Sequence, residues 1–418
     1  MTGLLVYLAI ALLLAMPLVL RVDGRYLAIA MSLALLALFA GAQLPLGLVV
    51  MAVALTLALD RPLGPFGLAL AFAALATALA IITYYAGGPT IYALVALALV
   101  TAAIYGMLAM GRVRENVEGA VKYLVFSGIG KVLIVTGYML ALCGWLQGLY
   151  VVLLGFMFEL GIVPCHAWMV DAYALGSPGG VATLAALSKV TALFVLLSVF
   201  RGFAGAPGAG SVGLVALIVS LASMLVANIA GLTARTLGRI MAYSSIAHMS
   251  YALAAVALVW WLGDPGGRVE FLGARLGVAD LAALVVMLEA LSAGLAKAGV
   301  FGYLTAAFAD AGAPGKSALN TLNVLSLLGL PPLLGFWPKL FLVLLIIAYP
   351  NLPLAVFLVA WVVLNSAAAT PYYLRALRTV AEAPGRVADN FTSACTAALS
   401  TALGIAMPLT VSALLSGL

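Results

Sequence analysis

This chain has little charge, little cysteine and almost no histidine, and each scarcity closes off a class of function. Charged residues make up 8% of its 418 positions while 66% are hydrophobic; soluble domains carry about 25% charged residues. Most of the chain must therefore be solvated by lipid. The three cysteines, Cys143, Cys165 and Cys395, are scattered in apolar surroundings, which argues against a disulfide framework or an iron–sulfur site. Only two histidines are present, with no HExxH and no pair at haem-ligand spacing, and no GxxxxGK[ST] phosphate loop exists. GSPGG at 176–180 is a turn between helices. No cofactor and no catalytic site are expected here.

What is present is a series of long apolar runs. Roughly 20 apolar residues cross a bilayer, and on that measure about fourteen spans are expected. They lie near 3–21, 26–43, 45–59, 66–84, 90–110, 119–143, 147–170, 181–201, 211–232, 239–262, 280–307, 319–348, 353–374 and 393–416. Membrane barrels alternate over about ten residues, and these unbroken runs do not, so the expected fold is all-α and polytopic. The start of the chain lacks a basic n-region and reads as a retained first helix, not a cleaved signal. The longest polar stretches, 263–279 and 375–392, are too short to fold alone. GRVRENVE at 111–118 reads as a short amphipathic connector.

The net charge of +6 reports loop asymmetry and not nucleic-acid binding. Loops after odd-numbered spans, with their helix ends, hold Arg21, Arg25, Arg61, Arg112, Arg114, Lys122, Arg235, Arg239, Lys316, Arg375, Arg378 and Arg386. Loops after even-numbered spans hold only Arg201, Arg268 and Arg275. Positive loops stay in the cytoplasm, so both termini are expected on the external face of a prokaryotic-type cell (inner) membrane.

Within the spans sit Lys131, Glu159, His166, Lys189, His248, Glu289, Lys297 and Lys339, with Lys122 nearer a boundary. A charge at the bilayer centre costs roughly 2.5–3.5 kcal/mol on insertion scales, so such residues normally face a polar interior. Spread over six or seven helices, they suggest a proton or cation path. Lysine suits such a relay because burial lowers its pKa and a nearby carboxylate raises it again. For His166 and His248, a relay role and simple hydrogen-bonded packing both remain open. Were the helix continuous past Pro164, Glu159 and His166 would share a face about 10 Å apart along the axis. Glu289 and Lys297 point to different faces of one helix and should not pair. Glu118 and Asp171 read as solvated charges at cytoplasmic ends.

Two spans look interrupted. GFMFELGIVPCHAW places Pro164 five residues after Glu159, and GLPPLLGFWPKL places Pro331, Pro332 and Pro338 before Lys339. Proline removes a backbone donor, and such breaks are tolerated in a membrane only where protein or water satisfies the freed groups. The breaks are about five spans apart, which suggests two inverted five-helix repeats, 66–201 and 211–375, after N-terminal helices in 1–65 and before a C-terminal helix in 393–418.

These residues resemble a family: the antiporter-like proton-channel subunits of respiratory complex I, membrane-bound hydrogenases and Mrp-type antiporters. The likeness rests on VEGAVKYLVFSG at 117–128, FELGIVPCHAWMVDAY at 158–173, LSKV at 187–190, LGRIMAYSSIAHMSY at 237–251, GLPPLLGFWPKL and YYLRAL at 372–377. It implies a subunit of a redox-driven pump moving protons or sodium through two linked half-channels, with other membrane subunits, further antiporter-like ones among them, as partners. It also implies that Lys189 is the family's eighth-span lysine and Lys339 its twelfth-span lysine. Lys297 resembles the eleventh-span lysine of the more antiporter-like members, and His248 the histidine of the AYSSIAH element.

Two departures stand out. The family's fifth-span glutamate falls near Ala98, with no carboxylate on that helix, and the seventh-span lysine is replaced by Glu159. In one reading the ion pair is rebuilt, Glu159 supplying the carboxylate and Lys131 or Lys189 the ammonium. In the other, the N-terminal half-channel is silent. At the level of the whole chain the alternatives are a non-conducting scaffold of the same kind of complex, or a stand-alone secondary cation/proton antiporter.

Overall fold

The computed structural model describes residues 24–42, 44–59, 64–88, 90–110, 114–266, 268–271, 274–309, 316–381 and 391–415. The expected first span, 3–21, lies outside them, as do Arg21, Arg61, Arg112 and Arg386. The described helices are α1 (Gly24–Gly41), α2 (Pro45–Leu59), α3 (Gly64–Tyr85), α4 (Thr90–Ala109), α5 (Arg114–Leu142), α6 (Gly148–Leu160), α7 (Ala167–Leu175), α8 (Pro178–Gly202), α9 (Ala209–Thr233), α10 (Leu237–Leu262), α11 (Val278–Ala309), α12 (Ala318–Leu328), α13 (Phe336–Ile347), α14 (Leu352–Ala368), α15 (Thr370–Ala381) and α16 (Phe391–Leu415). Ten segments among the described residues are long and apolar enough to cross a membrane. The chain is a multi-pass, all-α membrane protein.

Both expected breaks are real, and both begin with a glycine that carries the chain out of the helix in the left-handed region. Gly161 (φ 70°) ends α6 and Gly329 (φ 89°) ends α12; only glycine takes this conformation without a Cβ penalty. Each connector contains a cis prolyl bond, Val163–Pro164 and Pro331–Pro332. Pro338 does not take part in the second break. It lies in the first turn of α13, where backbone donors have no intrahelical acceptor to lose. A third irregularity is one π-helical turn in α8, Leu184–Ser188, immediately before Lys189. The Leu187 carbonyl in that turn accepts from Thr191 at 2.8 Å and from Thr77 at 3.5 Å.

The core is formed by α8, α10 and α11, which are almost wholly buried, while α5, α9 and α14 keep broad apolar faces outward. One feature was not expected. Within 263–279, β1 (Arg268–Phe271) and β2 (Ala274–Gly277) form an antiparallel hairpin, and the Phe271 ring packs on Phe341 of α13, with centroids 5.2 Å apart.

The outer helix α5 is held to α6 by a line of glycines. A Cβ on Gly155 would strike the Gly130 carbonyl, and one on Gly137 would strike the Gly148 carbonyl. Small residues let membrane helices approach backbone to backbone, and here the approach brings Lys131 onto α6. Near the N-terminal end of α5, Lys122 bridges Glu118 (2.6 Å) and Asp171 (2.8 Å) and so pins α7 to α5. Replacing Gly155 by Leu should force α5 away and destabilise the protein by about 1–3 kcal/mol through overpacking. Thermal unfolding in detergent reads this, and an unchanged midpoint would mean that the glycine contact does not hold α5.

Candidate functional site

All but one of the ionisable residues expected in the spans gather into two clusters, one at each broken helix. In the first, Glu159 is fully buried in the penultimate position of α6. Its Oε2 receives Lys131 Nζ at 2.7 Å and Ser127 Oγ at 2.7 Å. Lys131 also donates to the Ser127 hydroxyl and, at 3.2 Å, to the Ser127 carbonyl. Ser127 and Lys131 are one α5 turn apart, so they present to α6 together.

Lys189 approaches Glu159 from the other side, and not through the carboxylate. Its Nζ donates to the Glu159 backbone carbonyl at 2.7 Å and stands 4.8 Å from the Trp168 ring centroid. Trp168 itself donates from Nε1 to the Phe158 carbonyl at 2.8 Å. The end of α6 therefore finds donors for two carbonyls freed by the break. A helix C-terminus carries partial negative charge and favours a cation, and the face of Trp adds a cation–π contact. Tyr123 hydroxyl, 3.3 Å from Thr101 Oγ1 and 3.5 Å from Ser188 Oγ, links α4, α5 and α8 behind this cluster.

The second cluster repeats the lysine-on-carbonyl contact. Lys339 Nζ donates to the Leu328 carbonyl, the last residue of α12, at 2.8 Å. Its carboxylate is Glu289, which is fully buried on α11 and bonds His248 Nδ1 through Oε2 at 2.6 Å. His248 Nε2 is 3.3 Å from Tyr373 hydroxyl, which lies 2.7 Å from Ser244 Oγ. Lys297, also buried, donates to Ser245 Oγ at 2.8 Å, and Ser245 donates to Tyr173 hydroxyl at 2.9 Å. Tyr173 stands on α7, so this chain reaches back to the first break. Among the described residues, no carboxylate lies within ion-pair distance of Lys189, Lys297 or Lys339.

His166 stays apart. Because α6 ends at Leu160, Glu159 and His166 do not share a helix face; His166 precedes α7 and makes no capping bond with its side chain, whose Nδ1 is buried without a partner. Glu289 and Lys297 do not pair, as expected. Ala98 lies on the exposed side of α4, whose buried face is lined by Leu97 and Thr101; a carboxylate at 98 would point away from both clusters. Ser127, Trp168, Tyr173, Ser245 and Tyr373 were not singled out in advance, although all but Ser245's role as a bridge could be suspected from their places inside or beside the quoted motifs. No group of three His, Cys, Asp or Glu that could hold a metal occurs among the described residues.

This is the fold of the antiporter-like membrane subunits. The chain superposes on a chain of respiratory complex I from Thermus thermophilus (TM-score 0.73, 22% identity, 99% of each chain) and on one from the Mrp complex of Dietzia sp. DQ12-45-1b (TM-score 0.75, 16% identity, 100% and 96%). A chain of the archaeal membrane-bound sulfane sulfur reductase gives a TM-score of 0.78 at 17% identity, covering 100% and 96%. In sequence, residues 124–263 match the family described as NADH:quinone oxidoreductase/Mrp antiporter, TM. The chain is 30% identical over 320 residues to NADH-quinone oxidoreductase subunit N of Chromohalobacter salexigens, covering 68% of this chain and 62% of that protein. It is 28% identical over 308 residues to the subunit N of Rubrobacter xylanophilus, covering the same shares. The chain spans about three fifths of the length of the curated relatives it matches. The resemblance read from the motifs therefore holds.

The first cluster is open to a direct energetic test. Lys131→Met strands a buried carboxylate and should cost about 3–5 kcal/mol, whereas neutralising both partners is often nearly free. The double variant Lys131→Met, Glu159→Gln should therefore recover most of that loss in detergent unfolding. Equal instability of the single and double variants would mean that the pair does not set the cost.

Proposed function

We propose that this chain is a proton- or sodium-translocating, antiporter-like membrane subunit of a redox-driven assembly related to complex I. One observation carries the reading. Seven buried or half-buried ionisable groups face the protein interior at or beside the two breaks: Lys131 pairs with Glu159, Lys189 holds the carbonyl at the same helix end, Glu289 bonds His248, Lys297 bonds Ser245, and Lys339 holds the carbonyl that ends α12. Ionisable residues in membrane helices mark ion paths and proton relays, and broken helices are where transporters place such sites.

The chain's own groups supply the elementary steps. When Lys131 leaves Glu159, the carboxylate loses the charge that favours its ionised form and gains affinity for a proton. Lys189 has a carbonyl and a ring as partners and not a counter-ion, so a proton leaving it separates no ion pair. Glu289 and His248 form the second proton-exchanging pair, with Tyr373 and Ser244 continuing the chain of hydroxyls. Glu159 thus takes the part of the carboxylate that α4 lacks, with Lys131 as its ammonium. The redox reaction belongs to partner subunits, with further antiporter-like subunits among the membrane neighbours. The site is the cell membrane, with the loops rich in Lys and Arg, those of Lys316 and Arg375 among them, facing the cytoplasm. The shared construction of the two breaks supports the division into five-helix repeats at 66–201 and 211–375.

A second reading, a scaffold that keeps the fold without conducting, is favoured by the missing carboxylate on α4. One experiment separates the two. The complex is purified through a tag on this chain, its co-purifying redox subunits are identified by mass spectrometry, and it is reconstituted into vesicles. Glu159→Gln should reduce redox-driven ion transport about tenfold, or 1.4 kcal/mol, with assembly intact. Glu159→Lys should be worse, because it places lysines together unpaired. Full transport by Glu159→Lys would refute the rebuilt pair, and full transport by Glu159→Ala would favour the scaffold.

A further inference from the structure

A second polar feature crosses the bundle interior, and it contains no charge. Along α12 and its cap, Ser317, Asn320, Asn323 and Ser326 recur at every third residue, and α16 answers with Ser393, Thr396 and Ser400. All seven are essentially inaccessible, at 0–1% exposure. Asn320 Nδ2 donates to Ser317 Oγ at 2.9 Å and to Ser393 Oγ at 3.0 Å. Asn323 Nδ2 donates to Asn320 Oδ1 and to Thr396 Oγ1, both at 3.2 Å, and to the Ser393 carbonyl at 3.5 Å. Ser326 and Ser400 hydroxyls meet at 2.8 Å. From α11, Gly299 makes room for the column: its carbonyl accepts Ser393 Oγ at 3.1 Å, and a Cβ there would overlap Asn323 Nδ2 and Thr396 Oγ1.

The two ends of the column decide what it joins. Its outer end, Ser317, follows the exposed Lys316. Its inner end touches the second break: Gly335 N–H donates to Ser326 Oγ at 3.3 Å and Leu334 N–H to the Ser400 carbonyl at 3.2 Å. Gly335 is one turn from Lys339, which itself donates to the Leu328 carbonyl, two residues past Ser326. Nine residues of helix advance roughly 14 Å, close to half of a hydrocarbon core about 30 Å thick. A column of that length is long enough to reach from a membrane surface to mid-depth, and it ends at the broken helix that carries Lys339.

We propose that this column is a water-fed proton route between the Lys316 surface and Lys339. The inference rests on the reading of Lys339 as a relay group. Hydroxyls can take a proton on one lone pair and release another, and carboxamides orient water beside them. Interhelical adhesion alone accounts for the column less well. Polar contacts between membrane helices average about 0.6 kcal/mol each, whereas a buried amide oxygen with no donor costs more than that, and Asn323 Oδ1 has no donor among the described residues. No direct bond joins the Asn323–Thr396 pair to the Ser326–Ser400 pair among the described residues. The two pairs are one helical turn apart, about 5 Å, an interval that one bridging water spans.

The test uses the whole complex in sealed membrane vesicles, with Cys143, Cys165 and Cys395 changed to alanine and single cysteines introduced in turn. The probe is 2-aminoethyl methanethiosulfonate, which reacts with thiolate in water, while a thiol in apolar surroundings stays inert. Lys316→Cys reports the accessible side. Asn320→Cys and Asn323→Cys should react from that same side, about tenfold faster than lipid-facing Leu322→Cys. Reactivity no greater than that of Leu322→Cys, or reactivity from the opposite side, overturns the route. In parallel, Thr396→Val, which keeps shape and removes the hydroxyl, should lower ion transport per assembled complex, and Thr396→Ser should restore it. Loss of assembly with unchanged transport per complex would make the column adhesive only. If Lys339→Ala also transports normally, the relay reading itself fails; if Lys339→Ala is inactive while Thr396→Val is normal, only the column does.

Discussion

A helix that stops inside a membrane leaves carbonyl oxygens with no water to bind, and in this protein lysine ammonium groups meet two of them. Lys189 donates to the Glu159 carbonyl and Lys339 to that of Leu328. Each contact solves two problems at once, since an unpaired carbonyl and an uncompensated ammonium are both costly in lipid. Much of the surrounding structure serves these contacts. The left-handed glycines Gly161 and Gly329 end the helices, the π turn precedes Lys189, and Trp168 covers the next carbonyl while flanking the lysine. A neutral carbonyl binds the ammonium less strongly than a carboxylate does.

The distribution of charge fits this economy. Of 19 Lys and Arg and 13 Asp and Glu, only Lys131, Lys189, Lys297 and Lys339 and the two carboxylates Glu159 and Glu289 lie deep in the spans. Each carboxylate has a single titratable partner on its Oε2, Lys131 in one cluster and His248 in the other, and each keeps Oε1 without a protein donor. Half-satisfied carboxylates of this kind are poor structural elements. Lys297 and Ser245 extend the second cluster to Tyr173 on α7, the helix that follows the first break.

Much of this was legible in the sequence, for physical reasons that differ by feature. Apolar length located the spans, and proline beside charge located both breaks, because few sequences can afford either inside lipid. The hairpin at 268–277 escaped notice, being four residues per strand and held by the Phe271 ring on α13. The ion pair was foreseen as one of two options, and its geometry depends on the glycine contact between α5 and α6, which no local pattern reveals. The shared face of Glu159 and His166 was conditional on a helix continuous past Pro164, and Gly161 ends that helix. Ser, Thr and Asn in α12 and α16 look like ordinary packing residues until the two helices, some 70 positions apart, are brought into register. That Ala98 lies on the exposed side of α4 needed the fold.

The most direct measurement of the central claim is infrared difference spectroscopy of the reconstituted complex during redox turnover, comparing the unaltered chain with Glu159→Gln and Glu289→Gln. A carbonyl band of a protonated carboxyl group should rise and decay with turnover. One component should vanish in Glu159→Gln and another in Glu289→Gln, because each carboxylate takes up and releases a proton as its partner moves. If turnover proceeds with no such band from either residue, both carboxylates stay ionised throughout, and the buried axis is structural and does not conduct.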